Sequence, residues 1–183
     1  AAADPALVAG WGDAFSAAYR SRHTPAEALA DIEAFAGLPP EGGIALRLAP
    51  ADDEGFVRLR VFATGSQVPL SDRVPMLENF GFRVIDERTY TVLPADGVKR
   101  YIHGMQLATA AVLDAEAMAT VEAAILAVAQ GTAENDAFNQ LSVLAGLAWH
   151  DVVILRALAH YLRQAGITWS QRYLAGGLGA HPG

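Results

Sequence analysis

Few residues in this 183-residue chain are of types that make or break bonds, and their spacing argues against most chemistry. There is no cysteine, which removes thiolate nucleophiles, disulfides and thiolate metal sites. Lysine occurs once, at Lys99, so Schiff-base and lysine-assisted mechanisms have almost no candidate. His150 and His160 are separated by ten positions, which turns them to different faces of one helix. They read as surface or interface histidines, not as a metal pair. His103 lies between Tyr101 and Met105 on a strand and is expected to be half-buried. Glu134 and Asp136 are spaced for acid–base work. They also open a helix, where negative charge at the positive dipole end contributes about 0.3–1 kcal/mol, and that structural role is expected. No H-E-x-x-H motif occurs. Gly177-Leu178-Gly179 fails as a dinucleotide fingerprint, and Val98 before Lys99 rules out a phosphate-binding P-loop. No catalytic, cofactor-binding or metal-ligating residue is assigned.

Arginine carries the remaining recognition chemistry. Arg47, Arg58 and Arg60 are expected on one side of a first hairpin. Arg156, His160 and Arg163 follow the i, i+4, i+7 row of one helix face. Arg58, Arg60, Arg156, His160 and Arg163 are therefore a candidate docking surface for acidic neighbouring domains. Plain solvation, or an anionic metabolite held by arginine's fork, are the other readings. A second candidate is the loop Gly65, Ser66, Gln67, Val68, Leu70 and Ser71. It joins a strand to a helix N-terminus, where free N–H groups and the dipole receive anions, although most such loops simply turn the chain.

The elements that must position these groups fall into three blocks. Pro5 to Gly37 reads as helical. Thr24-Pro25-Ala26-Glu27 is a capping box with proline at the first helical position. An earlier helix from about Gly10 to Ser21 is expected to place Trp11, Phe15, Ala18 and Tyr19 on one face. In the second block Ile44–Leu48 and Phe56–Phe62 alternate with period two around the polar turn Asp52-Asp53-Glu54-Gly55. A helix follows from about Ser71 to Phe80, with Pro75 in or near its first turn. Arg83 to Leu93 reads as a strand, with a possible break near Glu87. Pro94-Ala95-Asp96-Gly97 turns it into another, from Val98 to about Leu107. Asp114 caps a helix whose Met118, Val121, Ile125 and Val128 form one stripe, and Gly131 ends it. The third block, from Gly131 to Leu178, reads as helical throughout. In its long helix Arg156, His160, Arg163 and Gln164 lie within roughly 100°. Trp149, Val152, Val153, Ile154, Leu155, Leu158, Tyr161 and Leu162 take the rest, so cover on most sides is expected. The segment reads as packing material, and exposed apolar tail surface would favour self-association.

The middle block has the order β-β-α-β-β-α. That is a split βαβ repeat with its last strand moved to the front. The expected fold class is α+β: a ferredoxin-like, four-stranded antiparallel sheet with two helices on one face, flanked by N-terminal helices and a C-terminal helical segment. The expected division is residues 1–40, 41–131 and 132–183. A chain of this length buries roughly 70% of its unfolded surface and needs no staple. Its net charge of −7 opposes binding to nucleic acid. No apolar run reaches the roughly 18 residues of a membrane span. Ala1-Ala2-Ala3-Asp4-Pro5 lacks the basic start of a signal peptide. Both ends read like cuts in a longer, cytoplasmic protein.

Val68 to Tyr90, VPLSDRVPMLENFGFRVIDERTY, resembles the LS-x-x-x-P-x-LEN-x-G-x-x-V region of large bacterial NAD-specific glutamate dehydrogenases. GTAENDAFNQL from Gly131 and RALAHYLRQAGITWSQRY from Arg156 are similar to later landmarks of that family, in the same order. The resemblance implies the last ACT-like regulatory domain and the start of the following helical region. It implies a parent enzyme that oxidises L-glutamate, with NAD and water, to 2-oxoglutarate, ammonium and NADH. The catalytic residues would lie elsewhere, so the segment alone would be inert and bind no cofactor. Implied partners are other domains of the same chain, homo-oligomer subunits and an amino-acid effector near Gly65 to Ser71.

Overall fold

The structure is a computed structural model that describes residues 9–167 and 169–180. The expected start of the first block at Pro5 and both chain ends lie outside the described residues. The elements run α1 (Ala17–Arg20), α2 (Pro25–Phe35), β1 (Ile44–Pro50), β2 (Phe56–Thr64), α3 (Leu70–Asn79), β3 (Arg83–Val92), β4 (Arg100–Ala108) and α4 (Ala115–Ala129). A 3-10 turn (Ala137–Asn139), α5 (Gln140–Leu144), α6 (Trp149–Gln164) and α7 (Gln171–Ala180) follow. The four strands form one antiparallel sheet in the order β1-β2-β4-β3. A split βαβ repeat with its last strand moved to the front gives that order, because the transplanted strand returns beside its old neighbour. The α+β class and the permuted order are as the sequence predicts.

Contacts divide the chain into two compact units. The first comprises Ala1–Arg47, Leu59–Val68 and Asp86–Met105. Its helix α2 starts as the sequence predicts. Thr24 Oγ1 accepts from Glu27 N, and the Glu27 carboxylate accepts from Thr24 N at 2.7 Å. That backbone hydrogen bond holds the Glu27 carboxyl below the usual carboxylate range. The expected helix from Gly10 to Ser21 is broken. Residues 9–11 are helical, Phe15 forms an isolated antiparallel bridge with Val92, and α1 restarts at Ala17 under a Ser16 cap. The chain gives up one helical turn to lay backbone against the strand end, while Trp11, Phe15 and Tyr19 still form one aromatic stack. This stack, with Phe35, Phe62, Val92 and Ile102, makes the unit's core. Phe35 of α2 meets Phe62 of β2 edge to face at 5.3 Å. Val61 and Ala63 are also buried, so both faces of β2 are covered here. Each fully buried aliphatic or aromatic side chain contributes about 1.5–3 kcal/mol.

The second unit comprises Leu48–Arg58, Pro69–Ile85 and Gln106–Gly183. Helix α3 starts at Leu70 after Pro69, so Pro75 lies in its second turn and not the first. Strand β3 is continuous through Glu87. Asp114 caps α4, accepting from Ala117 N at 2.8 Å, and Met118, Val121, Ala124 and Ile125 are buried. Glu122 on α4 accepts from Leu48 N of β1, which satisfies a donor on an edge strand. The tail is not helical throughout. Residues 131–136 and 145–148 are not helical, and Gly146 takes a positive φ of 64° before α6. Helix α7 runs through Gly176, Gly177 and Gly179 despite their low propensity. A Cβ at Gly179 would lie 2.8 Å from Leu144 Cδ1, so this glycine lets α7 approach α5 closely. The tail core holds Phe138, Leu141, Val152, Ala159 and Ala175.

Helix α6 corrects the sequence reading of its faces. Its buried side is Val152, Arg156 and Ala159, whereas Val153, Ile154, Leu158 and Tyr161 are exposed. The sequence pattern puts Arg156 on the polar side of the helix, whereas here Asp136 neutralises it and Asn139 accepts a hydrogen bond from it inside.

Candidate functional site

The candidate docking arginines separate into a half-buried ion pair at Arg60, a buried one at Arg156 and an exposed remainder. In the first unit Arg60 projects from the same side of β2 as Phe62, under α2. Its Nη2 lies 2.5 Å from Asp31 Oδ2 on α2. Tyr19 of α1 donates its hydroxyl to the same oxygen at 2.5 Å. Asp31 is 2% exposed and Tyr19 1%. Burial pushes the Asp31 carboxyl above the usual carboxylate range, against the opposing pull of the Tyr19 hydroxyl and the Arg60 guanidinium. Burial, and then Asp31, push the Tyr19 hydroxyl well above its ordinary value. His23 stacks on Tyr19 at 4.2 Å and Tyr90 meets both rings edge-on. This cluster pins α1 and α2 to the strand. Arg60 is half-buried and committed to Asp31.

In the second unit Arg156 is likewise no surface group. It is buried and makes a bidentate pair with Asp136, Nε to Oδ2 at 2.7 Å and Nη2 to Oδ1 at 3.0 Å. Nη2 also donates to Asn139 Oδ1 at 2.9 Å. Asp136 in turn accepts from Phe138 N at 3.0 Å and so caps the 3-10 turn. Glu134 is exposed, with its carboxylate 3.6 Å from Arg156 Nε. The two carboxylates are therefore helix-start and ion-pair groups, and Asp136 makes a cap with Arg156 added. That addition was not foreseen, because its partners are separated by twenty residues. His160 is half-buried beside Gln171, with Nε2 and Nε2 2.7 Å apart. His150 is exposed and stacks on Trp149. Arg163 and Arg47 are exposed, and so is Arg58, whose Nε donates to Pro50 O at 3.1 Å.

The candidate effector loop is described in its two halves. Gly65 has φ +78°, and its N–H donates to Lys99 O at 2.9 Å. A Cβ there would meet Glu41 Cα at 3.1 Å, so both conformation and space require glycine. Ser66 N donates to Thr64 O, Ser66 and Gln67 are exposed, and Val68 is half-buried. In the second unit, Leu70 and Ser71 are exposed in the first turn of α3. Asp72 N and Arg73 N both turn back to Pro69 O at 3.2 Å. Asp72 places a carboxylate in that turn, and Ser71 Oγ donates to it. The positive end of the dipole already has an anion beside it.

His103 is fully buried, not half-buried. Its Nδ1 lies 2.7 Å from Thr89 Oγ1 and 3.7 Å from Glu87 Oε1. Neighbouring strands at the sheet edge bring these three together, which spacing along one strand could not reveal. Among the described residues no three His, Asp or Glu side chains form a group that could hold a metal ion, and no helix is long and apolar enough to cross a membrane.

Three family models match consecutive stretches of the chain. Residues 43–120 match the family model described as glutamate dehydrogenase, ACT3 domain. Residues 133–183 match helical motif 3 of glutamate dehydrogenase, and residues 2–38 match its helical motif 2. The chain belongs to the glutamate dehydrogenase family. Relatives named NAD-specific glutamate dehydrogenase occur in Halomonas elongata, at 38% identity over 181 residues and 96% of this chain. Those in Mycobacterium tuberculosis and Pseudomonas aeruginosa are 37% and 32% identical, over 92% and 96% of this chain. The chain spans 11% of the length of each of these relatives. Within the glutamate dehydrogenase family the four-stranded sheet thus falls in the region matched as ACT3, and α5 to α7 fall in helical motif 3.

Proposed function

We propose that this chain is a non-catalytic assembly and regulatory segment of a long, cytoplasmic NAD-dependent glutamate dehydrogenase. The parent reaction converts L-glutamate, NAD and water to 2-oxoglutarate, ammonium and NADH on residues outside this segment. One observation carries the reading: the strongest polar groups are spent on each other. Arg60 closes on Asp31 and Tyr19, and Arg156 closes on Asp136 and Asn139. Such groups fix helices to one another and to a strand, and are not free to act as acid or base on a substrate. Relatives some nine times longer than the chain supply the room for catalytic domains. Its partners are then neighbouring domains of the same polypeptide and the other subunits of a homo-oligomer.

The alternative is an effector module in which the loop Gly65 to Ser71 receives an amino acid. Exposed Ser66 and Gln67 are what favours it. Light scattering of the long polypeptide with and without residues 43–180 tests the assembly role. Loss of the native oligomer on deletion is expected; an unchanged mass and unchanged turnover overturn it. Calorimetry of the chain against a panel of amino acids separates the readings. Silence favours assembly, and saturable heat abolished by Ser66→Ala and Gln67→Ala establishes the effector module.

A further inference from the structure

Helix α6 is buried on the wrong side for a helix that ends at solvent. Val152, Arg156 and Ala159 face the tail core. On the opposite side Ile154 is 65% exposed, Leu158 51% and Tyr161 64%. These three fall within about 60° of one another on the helical wheel, and Val153, 38% exposed, flanks them. No exposed charged side chain interrupts the stripe between Val153 and Leu162, since Arg156 points inward. An uncharged stripe of this kind excludes an acidic or basic partner and calls for another apolar surface. Its i, i+4, i+7 spacing is that of a ridge along one helix, which is filled by a second helix lying alongside.

We propose that Val153, Ile154, Leu158 and Tyr161 are the docking stripe for one amphipathic helix contributed by another part of the same long polypeptide. The inference rests on the assembly reading above and names its partner. The area of the stripe decides against a second copy of this segment. Four side chains at these exposures offer roughly 400 Å² per copy, and two copies would bury roughly 800 Å², short of the ~1,200 Å² at which specific stable interfaces begin. A tethered helix needs no such area, because its effective concentration reaches the millimolar range. Relatives of which this chain spans 11% contain ample chain for that helix.

The test places a photo-crosslinking benzophenone residue at Leu158, and separately at exposed Arg163, in the long polypeptide assembled from equal light and heavy isotope-labelled copies. The Leu158 probe is expected to capture one peptide with an apolar i, i+3, i+4 pattern from its own copy. The Arg163 probe is expected to capture none. Light–heavy crosslinks at Leu158, capture of a charged peptide, or no capture would each overturn the proposal. Light scattering of the same polypeptide without residues 133–180 keeps the two ideas apart. If deletion breaks the oligomer while Leu158 captures nothing, only the docking stripe falls. If deletion changes neither mass nor turnover, the assembly reading falls, whatever the probe shows.

Discussion

Replacing Arg156 by alanine strands a charge. In the native chain Asp136 accepts two hydrogen bonds from the guanidinium at 2.7 and 3.0 Å, and its side chain is 17% exposed. Without Arg156, Asp136 keeps only the Phe138 N–H, and Asn139 Oδ1 loses its donor. Breaking a buried ion pair from one side costs about 3–5 kcal/mol, because the surviving charge stays desolvated. For a domain of this size that corresponds to a fall of about 6–20 °C in melting temperature. Arg163→Ala, on the same helix but exposed, is the control and is expected to change stability by no more than about 0.5 kcal/mol. The second arm adds Asp136→Asn to Arg156→Ala. An amide oxygen still accepts from Phe138 N, and the stranded charge is gone. The double variant is therefore expected to recover about 1–3 kcal/mol relative to Arg156→Ala alone. Thermal and urea unfolding of the four proteins, followed by circular dichroism, read these differences. If Arg156→Ala matches Arg163→Ala, or Asp136→Asn fails to recover any stability, the lock is not as described.

Four further outcomes follow from local geometry. Tyr19 keeps its proton in the folded chain at pH values where the unfolded chain, with an ordinary tyrosine near about 10, has released it. The contribution of Tyr19 to folding stability is thus fully present below about pH 10 and lost as pH rises above it, and Tyr19→Phe should flatten that slope above about pH 10 in urea titrations. Thr24→Ala removes the cap from α2 and should cost about 1 kcal/mol in the same assay; no change would mean the box in α2 is idle. Gly43→Ala would put a Cβ 2.6 Å from Thr64 Oγ1 and 3.0 Å from Leu38 Cβ, and is expected to cost about 1–3 kcal/mol. Gly176→Ala, with open space around it inside α7, should instead gain about 0.5–1 kcal/mol. Equal effects at the two glycines would contradict the packing described.

Local signals in the sequence were read correctly where the causes are local. The capping box at Thr24, the Asp114 cap and the period-two runs in β1 and β2 depend on neighbours within a few residues. The strand order followed from the element order and the permutation alone. What escaped depends on partners far apart in the chain. Nothing near Arg60 announces Asp31, and nothing near Arg156 announces Asp136. A rule that equates charge with solvent exposure fails wherever a carboxylate waits inside. The same error turned the faces of α6 around, since Ile154 and Leu158 were assigned cover that Arg156 in fact receives. The broken first helix was missed because Trp11, Phe15 and Tyr19 keep helical spacing while the backbone between them pairs with Val92. The effector loop remains recognisable only as a place: Gly65 is demanded by its φ and by Glu41, yet no side chain of the loop is buried and aimed at a ligand.

The central claim is that this chain makes contacts and leaves bond-making to residues elsewhere in the polypeptide. The most direct measurement is glutamate-dependent formation of NADH, followed by absorbance, for the purified chain and for the long polypeptide at equal molar concentration. The account predicts turnover by the long polypeptide and none by the chain. Turnover by the chain, removed by substitution of any residue within it, would contradict the account.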